Sequence, residues 1–170
     1  MAFTMHSHSG QFCPGHARDD LEPIIRHAIS LGFKTIGLTE HMPRYASQDL
    51  YPEELDDPTA LQTLPPRHEA YVAEAVRLRT VLQEDIHVLV AFEAEFIRPE
   101  YEAHVKLLAS DPRIDYFIGS VHHVHSIPID YDATMFAKAV AAAGGSEQQL
   151  YEDYYDLQHQ MLTALSPRVI

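Results

Sequence analysis

Short apolar runs alternate with longer stretches of helical period along this chain, and Gly, Pro or Asp marks most of the changes. Strands separated by helices run parallel and are joined by right-handed crossovers. The alternation therefore restricts the fold to a parallel α/β sheet, either open or closing into a barrel. Ala2 to Met5 is a short apolar opening strand. Asp19 and Asp20 cap a helix in which Leu21, Ile24, Ile25, Ala28 and Ile29 share a face and Gly32 ends it. FKTIGLT (Phe33 to Thr39) reads as the second strand, IHVLVAF (Ile86 to Phe92) as the third and IDYFIGSV (Ile114 to Val121) as the fourth. Helical spacing runs from Arg67 to Glu84 and again from Pro99 through Tyr101, Val105 and Leu108. Ala133 to Ala143 forms an Ala-rich helix stopped by Gly144-Gly145, and Ser146-x-x-Gln149 opens a long one as a capping box. The closing SPRVI reads as the entrance to another strand. Between Met42 and Pro66 lies a proline-rich stretch too long for a plain connection, a candidate lid or substrate loop.

No repeat, linker or second-domain boundary interrupts the 170 residues, which count as one domain. About four βα units are present, whereas a complete (β/α) barrel takes about 250 residues. No apolar stretch approaches the roughly 18 residues of a membrane span. The start lacks the basic and apolar regions of a signal peptide, and one Cys cannot form an internal disulfide. A cytoplasmic protein without a membrane partner is the expectation. The formal charge of −13, with no Lys/Arg cluster, argues against a nucleic-acid groove.

Twelve histidines are the compositional anomaly, and their positions explain it. His6 and His8 follow the first strand, His41 the second, Glu93 ends the third and His122 ends the fourth. Loops from several parallel strands converge at that edge, so these residues point to one shared metal site. The i, i+2 spacing of His6 and His8 directs both rings to one side of an extended segment. His16 follows Pro14-Gly15, which can turn it back toward the same mouth. Of Glu40 and His41 one faces inward, and His41 is favoured. Glu93 and Glu95 share a parity, with Glu95 the bystander. Alternation sets His123 opposite His122. Cys13 has no partner thiol and reads as a buried bystander, while His27, His68, His87, His104 and His159 read as surface or satisfied core residues. Imidazoles with a few carboxylates suit Zn, Mn or Fe. A carboxylate such as Glu93 can bridge two ions, the arrangement for displacement at phosphorus, so phosphate ester hydrolysis is the first reaction to consider.

The set HSHS, TEH, the Glu of AFE and GSVHH resembles the PHP (polymerase and histidinol phosphatase) superfamily. More narrowly, MHSHSGQFCPGHA with GLTEHMPR and IGSVHHV is similar to the histidinol-phosphate phosphatases of fungal and bacterial type. The resemblance covers about residues 5 to 126 and is specific as a set. It implies a distorted (β/α)7 barrel of PHP type with two or three divalent ions at the strand C-termini, and hydrolysis of L-histidinol phosphate to histidinol and phosphate in histidine biosynthesis. Carried over by motif, His6 and His8 hold one ion with Glu93, Glu93 bridges to a second held by His122, and His16 with His41 holds a third. His123 and Arg44 are the candidates for phosphate or leaving-group contacts. The family completes each site with a His at a later GH-type strand end and an Asp-x-His near the C-terminus, and this sequence has neither after its fourth strand. The chain is therefore expected to be the N-terminal part of a PHP domain, about the first four βα units of the barrel. The alternatives are another PHP phosphoesterase such as an exonuclease, or an inactive metal-binding remnant.

Overall fold

The alternation resolves into one parallel sheet. The computed structural model describes residues 2–170. β1 (Ala2–Thr4), β2 (Phe33–His41), β3 (His87–Glu95) and β4 (Tyr116–Ser120) lie side by side in chain order, each pair parallel. Helices α1 (Leu21–Ser30), α2 (Pro52–Leu55), α3 (Ala60–Val81), α4 (Tyr101–Ala109), α5 (Ala133–Ala142) and α6 (Glu147–Leu165) fill the connections and the tail. The expected parallel α/β architecture is present, as four strands in chain order. Val169 makes a parallel bridge to Ile118 on the outer side of β4, so the closing residues do enter a strand position.

Side-chain parity divides the sheet. Ile36, Leu38, Val88 and Val90 point to one face, where α1 and α3 cover them with Leu21, Ile25, Tyr71, Ala75 and Leu78. Phe92, Phe96, Tyr101, Val105, Met161 and Leu165 form the core with α4 and α6. The opposite face carries Ala91, Tyr116 and Ile118 against Met5, Leu89 and Val169, and it continues upward into the polar strand ends. Tyr71 joins helix to sheet, its hydroxyl lying 2.6 Å from the carbonyls of both Leu38 and Ala91.

Two expectations need correction. The stretch from Met42 to Pro66 is not a loop throughout. Its last residues belong to α3, which starts at Ala60 with Pro65 and Pro66 inside it. Each proline removes a helical N–H, yet Ala60, Leu64, His68, Tyr71, Val72, Ala75 and Leu78 form one buried stripe, and burying that stripe outweighs the lost bonds. The remainder holds a 3-10 turn (Ser47–Asp49) and α2, and it is pinned by Tyr51 and by Asp49, which is fully buried. The capping box is only half made. Ser146 Oγ accepts from the Gln149 N–H at 3.3 Å, whereas the Gln149 amide donates to Asp153.

Beyond β4 the chain makes an unexpected antiparallel hairpin, β5 (His123–Val124) with β6 (Ile127–Pro128). Among the described residues no helix is long and apolar enough to cross a membrane.

Candidate metal centre

Register brings the strand ends into one cluster. His41 is the direct neighbour of Glu93 across β2 and β3, and Glu95 pairs with Ser120 two residues before His122. The segment carrying His6 and His8 is locked alongside β2 through the residue between them. Ser7 N–H donates to Thr39 Oγ1 at 2.9 Å, Ser7 Oγ donates to the Gly37 carbonyl at 2.7 Å, and Thr39 N–H donates to the Ser7 carbonyl at 3.1 Å. With Ser7 facing β2, both imidazoles turn to the mouth. They line a cavity of about 360 Å³ together with His16, His41, Glu93, His122, Tyr51, Glu53, Asp130 and Tyr131.

Within it the nitrogen and oxygen atoms crowd as ligands do. His6 Nε2 and His8 Nε2 are 2.8 Å apart, and they lie 3.0 and 3.2 Å from Glu93 Oε2. The other carboxylate oxygen, Oε1, is 2.8 Å from His122 Nε2. Ligand atoms around a tetrahedral ion with bonds near 2.05 Å sit about 3.3 Å from one another. Glu93 Oε2 thus faces His6 and His8, with His41 Nδ1 3.6 Å away, while Oε1 faces His122; His6, His8 and Glu93 form one group, and His41, Glu93 and His122 another, in each of which the donor atoms fall within 4.8 Å of one another. Buried polar atoms without protein partners point the same way, among them His8 Nδ1 and His41 Nδ1. Such atoms are costly unless something else satisfies them, and a cation fits a set of lone pairs.

The electrostatics follow from this crowding. Burial alone would raise the Glu93 carboxyl, but His122, His6 and His8 hold it far below the usual carboxylate range. Burial alone would lower His8, and the Glu40 and Glu93 carboxylates instead lift it to about 9. His122 is opposed by burial in the same way and is lifted to about 10, with Asp130 and Glu93 as its partners. His16 moves downward, through burial first and then through His41 and His8.

The third group differs from the one carried over by motif. His16 comes to the site, its ring centroid 4.4 Å from that of His41, but its Nδ1 is 3.1 Å from Cys13 Sγ. Cys13, read as a bystander, forms a three-donor group with His8 and His41. Its thiol is pushed up to about 12 by burial, with the nearby Glu40 charge adding to the effect.

Arg44 and His123, the expected phosphate or leaving-group contacts, are both buried. The Arg44 guanidinium is buried and committed to Glu54 on α2, to Glu95 Oε1 at 2.9 Å and to the Met42 carbonyl at 3.0 Å. His123 is fully buried behind the cavity, 3.7 Å from Glu95 and edge-on to Tyr51. The supporting carboxylates are what sequence reasoning missed. Glu95 is no bystander. It accepts from Arg44 and from the Tyr51 hydroxyl at 3.0 Å, and its Oε1 is 2.9 Å from His41 Nδ1, off the line of a directed hydrogen bond. Its shared parity with Glu93 was the available signal. Glu40 faces away from the cavity and accepts from both the Ser9 N–H and Oγ, at 2.8 and 2.6 Å. His68 is buried with Nδ1 unpartnered, so it is not a satisfied core histidine.

Comparison with known proteins agrees with this geometry. The PHP domain family model matches residues 4–170. A probable histidinol-phosphatase of Schizosaccharomyces pombe is 43% identical over the whole of this chain, which covers 55% of that protein. The histidinol-phosphatase of Saccharomyces cerevisiae is 28% identical over 97% of this chain and 52% of its own length. The chain thus spans about half the length of these curated relatives. Among solved structures, a Listeria monocytogenes protein described as a histidinol phosphatase superposes with a TM-score of 0.67 at 19% identity, over 92% of this chain and 59% of that one. A histidinol phosphate phosphatase of Lactococcus lactis, solved with zinc, L-histidinol and phosphate, gives a TM-score of 0.55 at 15% identity, over 96% of this chain and 68% of that one. With its motif residues gathered at one sheet edge and a family match from Thr4 to the last residue, this chain belongs to the PHP domain family.

Proposed function

We propose that this chain is the N-terminal, metal-binding part of a histidinol-phosphatase, a phosphoric monoester hydrolase that converts L-histidinol phosphate and water to L-histidinol and phosphate. The observation that carries this reading is the placement of Glu93, whose two carboxylate oxygens each face a separate imidazole group. The names of its relatives and the zinc, histidinol and phosphate held by the Lactococcus protein support the same substrate.

Two or three divalent ions are assigned to the site, with Zn, Mn or Fe suited to its imidazole-rich donors. His6 and His8 would hold one ion with Glu93. Glu93 would be shared with a second held by His122, and His41 would serve a third, with His16 as the family motif implies and with Cys13 as the further donor beside it. Bound divalent cations supply an activated water and charge neutralisation for displacement at phosphorus. The chain's own residues set that geometry. Ser7 keeps the first two imidazoles aimed at the mouth, and Asp130 and Glu95 stand behind His122 and His41. Arg44 and His123 act from behind the cavity, through Glu95 and Tyr51, rather than on the phosphate. A reducing cytoplasmic setting and a role in histidine biosynthesis fit the single Cys and the substrate.

The test is release of phosphate from L-histidinol phosphate by the zinc- or manganese-loaded protein, with bound metal counted in the same sample. Turnover that rises with metal content is expected. Full metal loading with no release of phosphate, in this chain and in a version extended to the length of its relatives, overturns the reading.

A further inference from the structure

The hairpin after β4 delivers a carboxylate to the site that no motif announces. His122 leaves the strand end, the chain reverses through β5 and β6, and Asp130 returns eight residues later. The reversal is closed by the Ile129 N–H donating to the His122 carbonyl at 2.9 Å, with His123 opposite Pro128 and Val124 opposite Ile127. His125 and Ser126 occupy the turn with φ of 55° and 60°, the left-handed pair of a tight two-residue hairpin. The hairpin is seated on the molecule. Val124 is buried among Ala139, Ala143 and Leu150, and His125 Nε2 is 2.7 Å from Asp153 on α6.

This closure sets Asp130 Oδ2 2.7 Å from His122 Nδ1, while His122 Nε2 stays 2.8 Å from Glu93 Oε1. A ring that donates Nδ1–H to a carboxylate presents Nε2 as its lone pair. The Asp130 side chain is 55% exposed, and exposed ion pairs add little to fold stability. A contact that adds so little to the fold and points at a site imidazole is better explained by what it does to that imidazole.

We propose that Asp130 is a positioning residue for His122: it fixes the tautomer and plane of that ring, so that Nε2 faces the cation shared with Glu93. This rests on the metal reading above and deepens it. The hairpin is then the part of the fold that couples chain topology to ligand orientation.

The experiment is zinc titration of the full chain against a chromophoric chelator, for wild type, Asp130→Ala and Asp130→Asn, with the metal-free melting midpoint of each. Asp130→Ala should weaken one zinc by about 10–100-fold, as loss of an outer partner does at other metal sites. Asp130→Asn keeps an acceptor oxygen without the charge and should lose less, and the metal-free melting midpoints should coincide with wild type. A zinc isotherm for Asp130→Ala that superposes on wild type overturns the proposal while leaving the metal site standing. If Asp130→Ala does not fold, Asp130→Asn decides: weaker zinc binding supports the proposal, and an unchanged isotherm overturns it. Wild type that takes up no zinc overturns the metal reading and this inference together.

Discussion

Glu93 is nearly inaccessible and is surrounded by imidazoles on both of its oxygens. Glu93→Gln removes a charge that two groups share, so it should cost more than the loss of any single histidine. We expect at least one fewer bound ion per chain by elemental analysis. Phosphate release should fall by more than about 100-fold, beyond the cost of losing an outer partner. A second residue makes a prediction about pH. Burial pushes His68 down to about 4 from an ordinary value of 6.5. Between those two values the unfolded chain binds a proton that the native chain refuses, so stability falls as pH drops through that window and levels off below it. The full effect is about 3 kcal/mol. His68→Leu, which fills the pocket without a titrating group, should flatten this acid limb in denaturant titrations from pH 7 to 4. The side chains at strand ends were legible in the sequence, because a ligand type at a fixed place in a βα unit carries its own address. The placements of Glu95, Asp130 and Cys13 were not, because the contacts of Glu95 with Arg44 and Tyr51, of Asp130 with His122, and the grouping of Cys13 with His8 and His41 depend on how the chain folds back on itself.

Among the elements, the strands read true and the long connection did not. Apolar runs bounded by turn residues located β2, β3 and β4, although β2 and β3 each extend further at the C-terminal end, far enough to hold His41, Glu93 and Glu95 in register. Pro65 and Pro66 hid the first part of α3, since local propensity argues against helix there and only the buried stripe argues for it. The hairpin β5–β6 was hidden for a related reason. Its turn residues, His125 and Ser126, are not the Asn-Gly pair that signals such a turn. A left-handed backbone costs an L-residue roughly 1–2 kcal/mol that glycine avoids. Ser126→Gly should therefore raise stability by about 1 kcal/mol in urea titration, with His125 still free to meet Asp153. A loss of stability would show that the Ser126 side chain has a role the turn geometry does not reveal.

For the molecule as a whole, the parallel sheet gathers ionised groups at one edge, where imidazoles and carboxylate hold one another in their charged forms. His8 and His122 are held protonated at neutral pH beside other imidazoles, with one central carboxylate among them. Cations that bind this arrangement and not the unfolded chain stabilise it by mass action, about 2.7 kcal/mol at a hundredfold excess over Kd. For a domain of this size that amounts to a rise in melting temperature of about 5–10 °C. Differential scanning fluorimetry with zinc, then with excess chelator, should show this rise and its reversal. What could be read from residue order alone was the parallel α/β class, the family and the ligand-type residues at each strand end, because hydrophobic period and turn residues are local properties and the motifs lie at fixed distances from them. Three things required the folded chain: which imidazoles each oxygen of Glu93 faces, the pairing of Arg44 with Glu54 and Glu95, and the return of Asp130 to His122. Each depends on which residues become neighbours across strands and around a hairpin, and strand register and chain reversal set those distances, not spacing along the sequence.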